Sequence, residues 1–150
     1  MDSKALAARL SKKYETRDPF RLADEMGFIV VFAPLIDMRG FQQRVKRQNI
    51  IYINDTLDER QQALVCGHEM GHHFMHRGMN RIFMNLNTQY VTQQFENEAN
   101  LFSLELSSAD EHLQPFLNRS ITDAATFMGV SVQLATWRME TVPPYGEWAS

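Results

Sequence analysis

The sequence predicts an α+β fold in which a small antiparallel or mixed sheet packs on one long helix and the C-terminal half is mostly helical. Three features carry this reading. Apolar residues recur at helical spacing from Thr56 to His76, short β-rich runs such as Ile29-Val30-Val31 and Ile50-Ile51-Tyr52-Ile53 precede that stretch, and the periodic segments after it are helical. The chain has 150 residues, 44% of them hydrophobic, which suits one compact unit with a small helical appendage.

Taken in order, the first helix covers Ser3 to Tyr14. A second runs from Asp18 to Met26, with Asp18 as its cap and Pro19 in the first turn, where a missing N–H costs nothing. A strand follows Gly27, and two more are expected at Met38 to Gln43 and Gln48 to Asn54, the pair forming a hairpin. The long helix then spans Thr56 to His76, with Leu57, Leu64, Val65, Cys66, Met70, Phe74 and Met75 as apolar positions and Gly78 as its stop. Between Arg77 and Thr92 the connection carries Met79, Ile82, Phe83, Met84, Leu86 and Tyr90. It is too apolar for a solvated loop and either walls a cleft or covers the core. A further helix has Phe95, Ala99, Phe102 and Leu106 as its core stripe. Ser107 to His112 reads as a stop and a new start. Ile121 to Met128, the turn Gly129-Val130-Ser131 and Val132 to Met139 outline a helix-turn-helix, whose Ile121, Ala124, Phe127, Met128, Val132, Leu134 and Trp137 are expected to dock on the rest. Pro143-Pro144-Tyr145 ends the ordered part. The organisation expected is therefore residues 1–118 as the main domain, 119–142 as a helical extension packed on it, and 143–150 as a tail.

The chemistry lies in His68-Glu69-Met70-Gly71-His72. Residues four apart on a helix share a face, so His68 and His72 can grip one zinc ion while Glu69 reaches a water beside it as general base. The elongated variant of this motif needs Gly and His where Met75 and Gly78 stand, so the third ligand comes from elsewhere. Phe95-Glu96-Asn97-Glu98-Ala99-Asn100 offers two carboxylates about 200° apart on a helix, of which only one can face a given ion. Asn100, one turn beyond Glu96, can orient that carboxylate, whereas Glu98 aligns with Glu105 on an apparent solvated face; Glu96 is favoured. An oxyanion stabiliser stays open among His73, His76, Tyr90 and His112, and His76 suits a structural or supporting role equally well.

The run Gly67-His68-Glu69-Met70-Gly71-His72, with His76 one turn on, followed by Glu96-Asn97-Glu98-Ala99-Asn100 and Phe102, resembles the ImmA/IrrE metallo-endopeptidases, whose pattern is HExGHxxxH and later ExxANxF. Asp18-Pro19-Phe20 through Gly27 to Val31, and Ile50 to Asn54, resemble that family's lead-in helix and strands. Met70 and Ser103 depart from the Leu and Ala found in many members, and neither is a ligand position. The resemblance implies a zincin-like fold with one zinc per chain on His68, His72 and Glu96, and Glu69 as base. It also implies a protein substrate, a helix-turn-helix repressor of a prophage or mobile element, cut in an anti-repressor role. The alternative is a non-catalytic protein that keeps the zinc fold and acts by binding a repressor or DNA.

Charge and cysteine content bound these readings. A net charge of −3 and a pI near 5.9 argue against direct nucleic-acid binding. The cations Arg39, Arg44, Lys46 and Arg47 read as a solvated hairpin edge, and the last helix offers only Arg138. With no signal-like opening, no apolar run of bilayer length and the single Cys66 read as a core residue, a cytoplasmic protein without membrane contact is expected. Composition leaves the oligomeric state open.

Overall fold

The computed structural model of the protein describes residues 2–76 and 89–144, and for residues 89–92 the backbone alone. Within them the fold is α+β, mostly helical, around a three-stranded mixed sheet. Helix α1 (Ser3–Tyr14) is capped by Asp2, and α2 (Pro19–Glu25) by Asp18, whose side chain accepts from the Phe20 N–H with Pro19 in the first turn. Strand β1 (Ile29–Ala33) pairs in parallel with β3 (Gln48–Asn54), and β2 (Gly40–Val45) pairs antiparallel on the other side of β3. The order β1-β3-β2 leaves β2 as an edge.

Two elements differ in their bounds from the sequence expectation. Strand β2 runs from 40 to 45 rather than 38 to 43, because the Asn54 amide donates to the carbonyls of Leu35 and Met38 and holds that stretch as a loop. At its far end Lys46 and Arg47 both take left-handed backbone, φ 50° and 67°, which closes a two-residue hairpin and lets the strand run on to Val45. The long helix, α3 (Glu59–Met75), starts three residues late, since Asn54 Oδ1 accepts from both the N–H and hydroxyl of Thr56 and keeps it in a turn. Asp58 then caps α3 through the Gln61 N–H.

Helix α4 (Gln89–Ser107) begins inside the expected connection. The Gly78 stop, the apolar residues from Met79 to Leu86, the Tyr90 side chain and Tyr145 lie outside the described residues. After Ala109 come a short α5 (Asp110–Leu113) and a 3-10 turn (Gln114–Asn118), then α6 (Ile121–Met128) and α7 (Val132–Glu140), at the expected positions. Gly129, at φ 74°, ends α6 in the left-handed conformation that allows the tight turn.

Helices α3 and α4 lie against one another along small residues. A Cβ on Gly71 would stand 3.0 Å from the Phe102 ring and 3.2 Å from Ala99 Cα, and one on Gly67 would collide with the Ser103 hydroxyl. Ser103 in turn donates to the Leu64 carbonyl at 2.7 Å. One apolar cluster joins Leu6, Leu10, Leu22, Ile51, Ile53, Cys66, Met70, Phe102 and Leu106 between the sheet, α1, α2, α3 and α4. A second gathers Leu104 and Leu113 with Ala124, Met128, Ala135 and Val142, fastening α6 and α7 to α4. Ile121 and Leu134 join it in part, but Phe127 and Val132 stay 44% and 47% exposed beside the turn, contrary to the expected docking face.

Two polar residues also depart from the sequence expectation. Glu105 is buried rather than solvated, because α1 covers that face of α4; its carboxylate accepts from the Ser3 hydroxyl. Burial raises its pKa above the usual carboxylate value, with Ser3, Arg138 and Lys4 opposing. Arg138, the one cation of the last helix, is 1% exposed and donates to the Ser108 carbonyl, Asp110 and Thr141, so it offers nothing to a phosphate. By contrast Arg44, Lys46 and Arg47 are exposed as expected. Among the described residues no helix is long and apolar enough to cross a membrane.

Candidate metal centre

Helix α3 presents His68 and His72 one turn apart toward α4, where Glu96 meets them. The two Nε2 atoms are 3.1 Å apart. Glu96 places Oε2 2.9 Å from His68 Nε2 and Oε1 2.8 Å from His72 Nε2. One donor atom from each residue falls within 4.8 Å of the others. Nε2 lone pairs and a carboxylate repel unless a proton or a cation lies among them. Hydrogen bonds from both rings pull the Glu96 carboxyl far below the usual range, against its burial. Burial likewise opposes charge on His68, yet Glu96, Glu69 and Asn100 outweigh it and raise the imidazole pKa. The cluster therefore favours positive charge at its centre.

The outer atoms fit a metal as well. Asn100 Oδ1, which can only accept, stands 2.7 Å from His68 Nδ1, so with a metal in place of the Nε2 proton the ring keeps its remaining proton on Nδ1 and turns the Nε2 lone pair inward. Two imidazole nitrogens at zinc distances of about 2.0–2.1 Å in a tetrahedron are about 3.3–3.4 Å apart, close to the spacing present. His72 Nδ1 meets His76 Nδ1 at 2.9 Å.

Glu69 lies beside this group, its Oε2 4.0 Å from His68 Nε2, and is 7% exposed. Its orientation comes from the edge strand: the Gln42 amide on β2 donates to the Glu69 carbonyl at 2.5 Å and to Oε1 at 3.1 Å. Gln42 carries no sequence signal for this role, because the contact joins a strand to a helix far along the chain and has no motif. Glu98, expected on a solvated face, instead has its Oε2 3.5 Å from His76 Nε2.

A cleft of about 840 Å³ opens on these groups, with Arg39 to Gln42 of the sheet edge along one wall and Gly129 to Ser131 and Leu134 along another. Of the residues considered for oxyanion stabilisation, His73 packs edge-on against Phe28 and His112 is exposed on α5; neither lines the cleft. His76 is buried and its ring lies 4.2 Å from that of Phe95. Cys66 is buried, and desolvation, then Asp18 and Glu69, push its thiol up to about 12, leaving it inert.

Comparison with known proteins gives this geometry its context. Residues 23–140 match the family described as Peptidase M78, the IrrE N-terminal-like domain. Immunity region protein 2 of Bacillus phage phi105 is 36% identical over 135 residues, covering 88% of this chain and 85% of that protein. Metallopeptidase ImmA of Bacillus subtilis strain 168 is 28% identical over 108 residues, covering 71% of this chain and 63% of that protein.

Proposed function

Because this chain belongs to the ImmA/IrrE family of metallopeptidases, the family of the IrrE N-terminal-like domain, we propose that it is a zinc-dependent endopeptidase. It cuts one specific cytoplasmic protein, a helix-turn-helix repressor of a prophage or mobile element. The observation that carries the reading is the convergence of His68 Nε2, His72 Nε2 and the Glu96 carboxylate beside a Glu69 held in place by Gln42. A phage immunity-region relative supports the choice of substrate.

His68, His72 and Glu96 would hold the zinc. When bound, the ion supplies Lewis acidity, lowering the pKa of a water there to about 7 and polarising the carbonyl to be cut. Glu69 accepts the proton of the attacking water and returns it to the leaving amine, so it must keep one oxygen free toward the cleft. Gln42 provides for this: by donating to Oε1 it fixes the carboxylate, leaving Oε2 on the His68 side. Val130 and Leu134 give the cleft an apolar wall on the helix-turn side, and its open form suits a polypeptide.

Incubating the zinc-loaded protein with helix-turn-helix repressors encoded by its own genome, followed by mass spectrometry, tests the proposal. The parent should yield two fragments whose masses together exceed the repressor's by one water. Glu69→Gln should keep its zinc and slow cleavage by roughly 100-fold or more, since an amide cannot accept the proton. Cleavage by the Gln variant at the parent's rate contradicts the role of Glu69, and an intact repressor held in a stable complex with the parent contradicts the peptidase reading.

A further inference from the structure

We infer that His76 is a positioning residue for the metal centre: its Nδ1 accepts the Nδ1–H of His72 and thereby fixes the angle and tautomer with which His72 presents Nε2. This deepens the zinc reading above and rests on it. Two ring nitrogens 2.9 Å apart share one proton between them. If the Nε2 of His72 keeps its lone pair for the centre, the ring's proton must sit on Nδ1, so His76 is the acceptor and carries its own proton on Nε2. That Nε2 is buried without a formed hydrogen bond, and the carboxylate of Glu98 stands 3.5 Å away on the side where its proton would point.

The rest of the surroundings hold His76 in that attitude. Its backbone N–H closes the last turn of α3 on the His72 carbonyl at 2.9 Å, which sets its ring beneath that of His72. The Phe95 ring, tilted by 30°, packs against its face, and the residue is 2% exposed. Each histidine of the centre thus has its own acceptor on the outer nitrogen, Asn100 Oδ1 for His68 and His76 Nδ1 for His72. A His76 that served packing alone would be replaceable by an apolar side chain with no consequence for the metal.

The test is zinc affinity, measured on the full chain by competition with a chromophoric chelator. His76→Leu removes the acceptor and should weaken zinc binding by about 10- to 100-fold, the usual consequence of losing the partner of a metal-bound imidazole. His76→Asn, whose Oδ1 can stand where Nδ1 was, should stay within a few-fold of the parent, a rescue that packing alone would not give. Nitrogen NMR of the zinc-loaded parent with labelled histidine needs no variant and decides the matter if His76→Leu does not fold. It should find His72 protonated on Nδ1 and His76 on Nε2. Parent-like zinc affinity in folded His76→Leu, or a proton on His76 Nδ1, overturns the inference. A parent that binds no zinc overturns the metal reading itself, and is told apart by the titration of the parent alone.

Discussion

Glu96 and Glu98 stand two residues apart on α4, yet one faces both imidazoles of α3 and the other reaches toward His76. Helical geometry separates them in the sequence, and the Asn100 beside Glu96 marks the side that faces the histidines. What Glu98 does was not legible, because the partner it meets sits at the end of another helix. Gln42 and Glu105 were missed for the same reason: a strand edge and a covering helix, neither adjacent in sequence, decide what they touch. Glu96→Ala should therefore lose most of its zinc at purification, as judged by elemental analysis. Glu98→Ala should retain near-stoichiometric metal with an affinity only a few-fold weaker. Reversal of that order would reassign the carboxylate.

The elements that were read most accurately are those whose ends carry local chemistry. Asp18 with Pro19, and Ser120, Gly129 and Ser131 around α6 and α7, state their boundaries within four residues of sequence. The starts of α3 and β2 depend instead on Asn54, whose hydrogen bonds cross from strand to loop. The fit of α3 to α4 is equally non-local, and it sets how near Glu96 comes to the histidines. Gly67→Ala should therefore destabilise the protein. Helix propensity alone would favour Ala by about 1 kcal/mol. The collision with a Ser103 tied to Leu64 should cost about 1–3 kcal/mol and prevail. Denaturant titration should show the loss, and Ser103→Ala added to it should recover part of the stability by removing the hydroxyl. A Gly67→Ala protein as stable as the parent would mean that the helices are free to shift.

Across the whole molecule, an ionic network binds the N-terminal helix to the C-terminal pair: Lys4 Nζ lies 3.0 Å from Asp110 Oδ2, Arg138 donates to Asp110 Oδ1 at 2.8 Å, and Ser3 meets Glu105. Its two acids carry opposite pH signs. Burial opposes charge on Asp110, but Arg138 and Lys4 prevail and lower its pKa, so its contribution is present above the ordinary value of 3.8 and is lost as pH falls through the folded value. The pKa of Glu105 is raised, so its contribution is present in acid and is lost as pH rises through the folded value. Glu105→Gln should accordingly gain stability relative to the parent between pH 4 and pH 7 in denaturant titrations. A difference that stays flat or shrinks with rising pH would contradict the burial of a charge there. The same network buries Arg138, while the second apolar cluster fastens α6 and α7 to α4. All of these elements converge on one claim, that two helices fix two imidazoles and one carboxylate around a single zinc. X-ray absorption at the zinc edge of the zinc-loaded full chain tests it most directly. The account predicts one zinc per chain, surrounded only by light atoms at about 2.0–2.1 Å, with the multiple scattering of two imidazoles. Sulfur at about 2.3 Å, or a zinc shell without imidazole scattering, would contradict it.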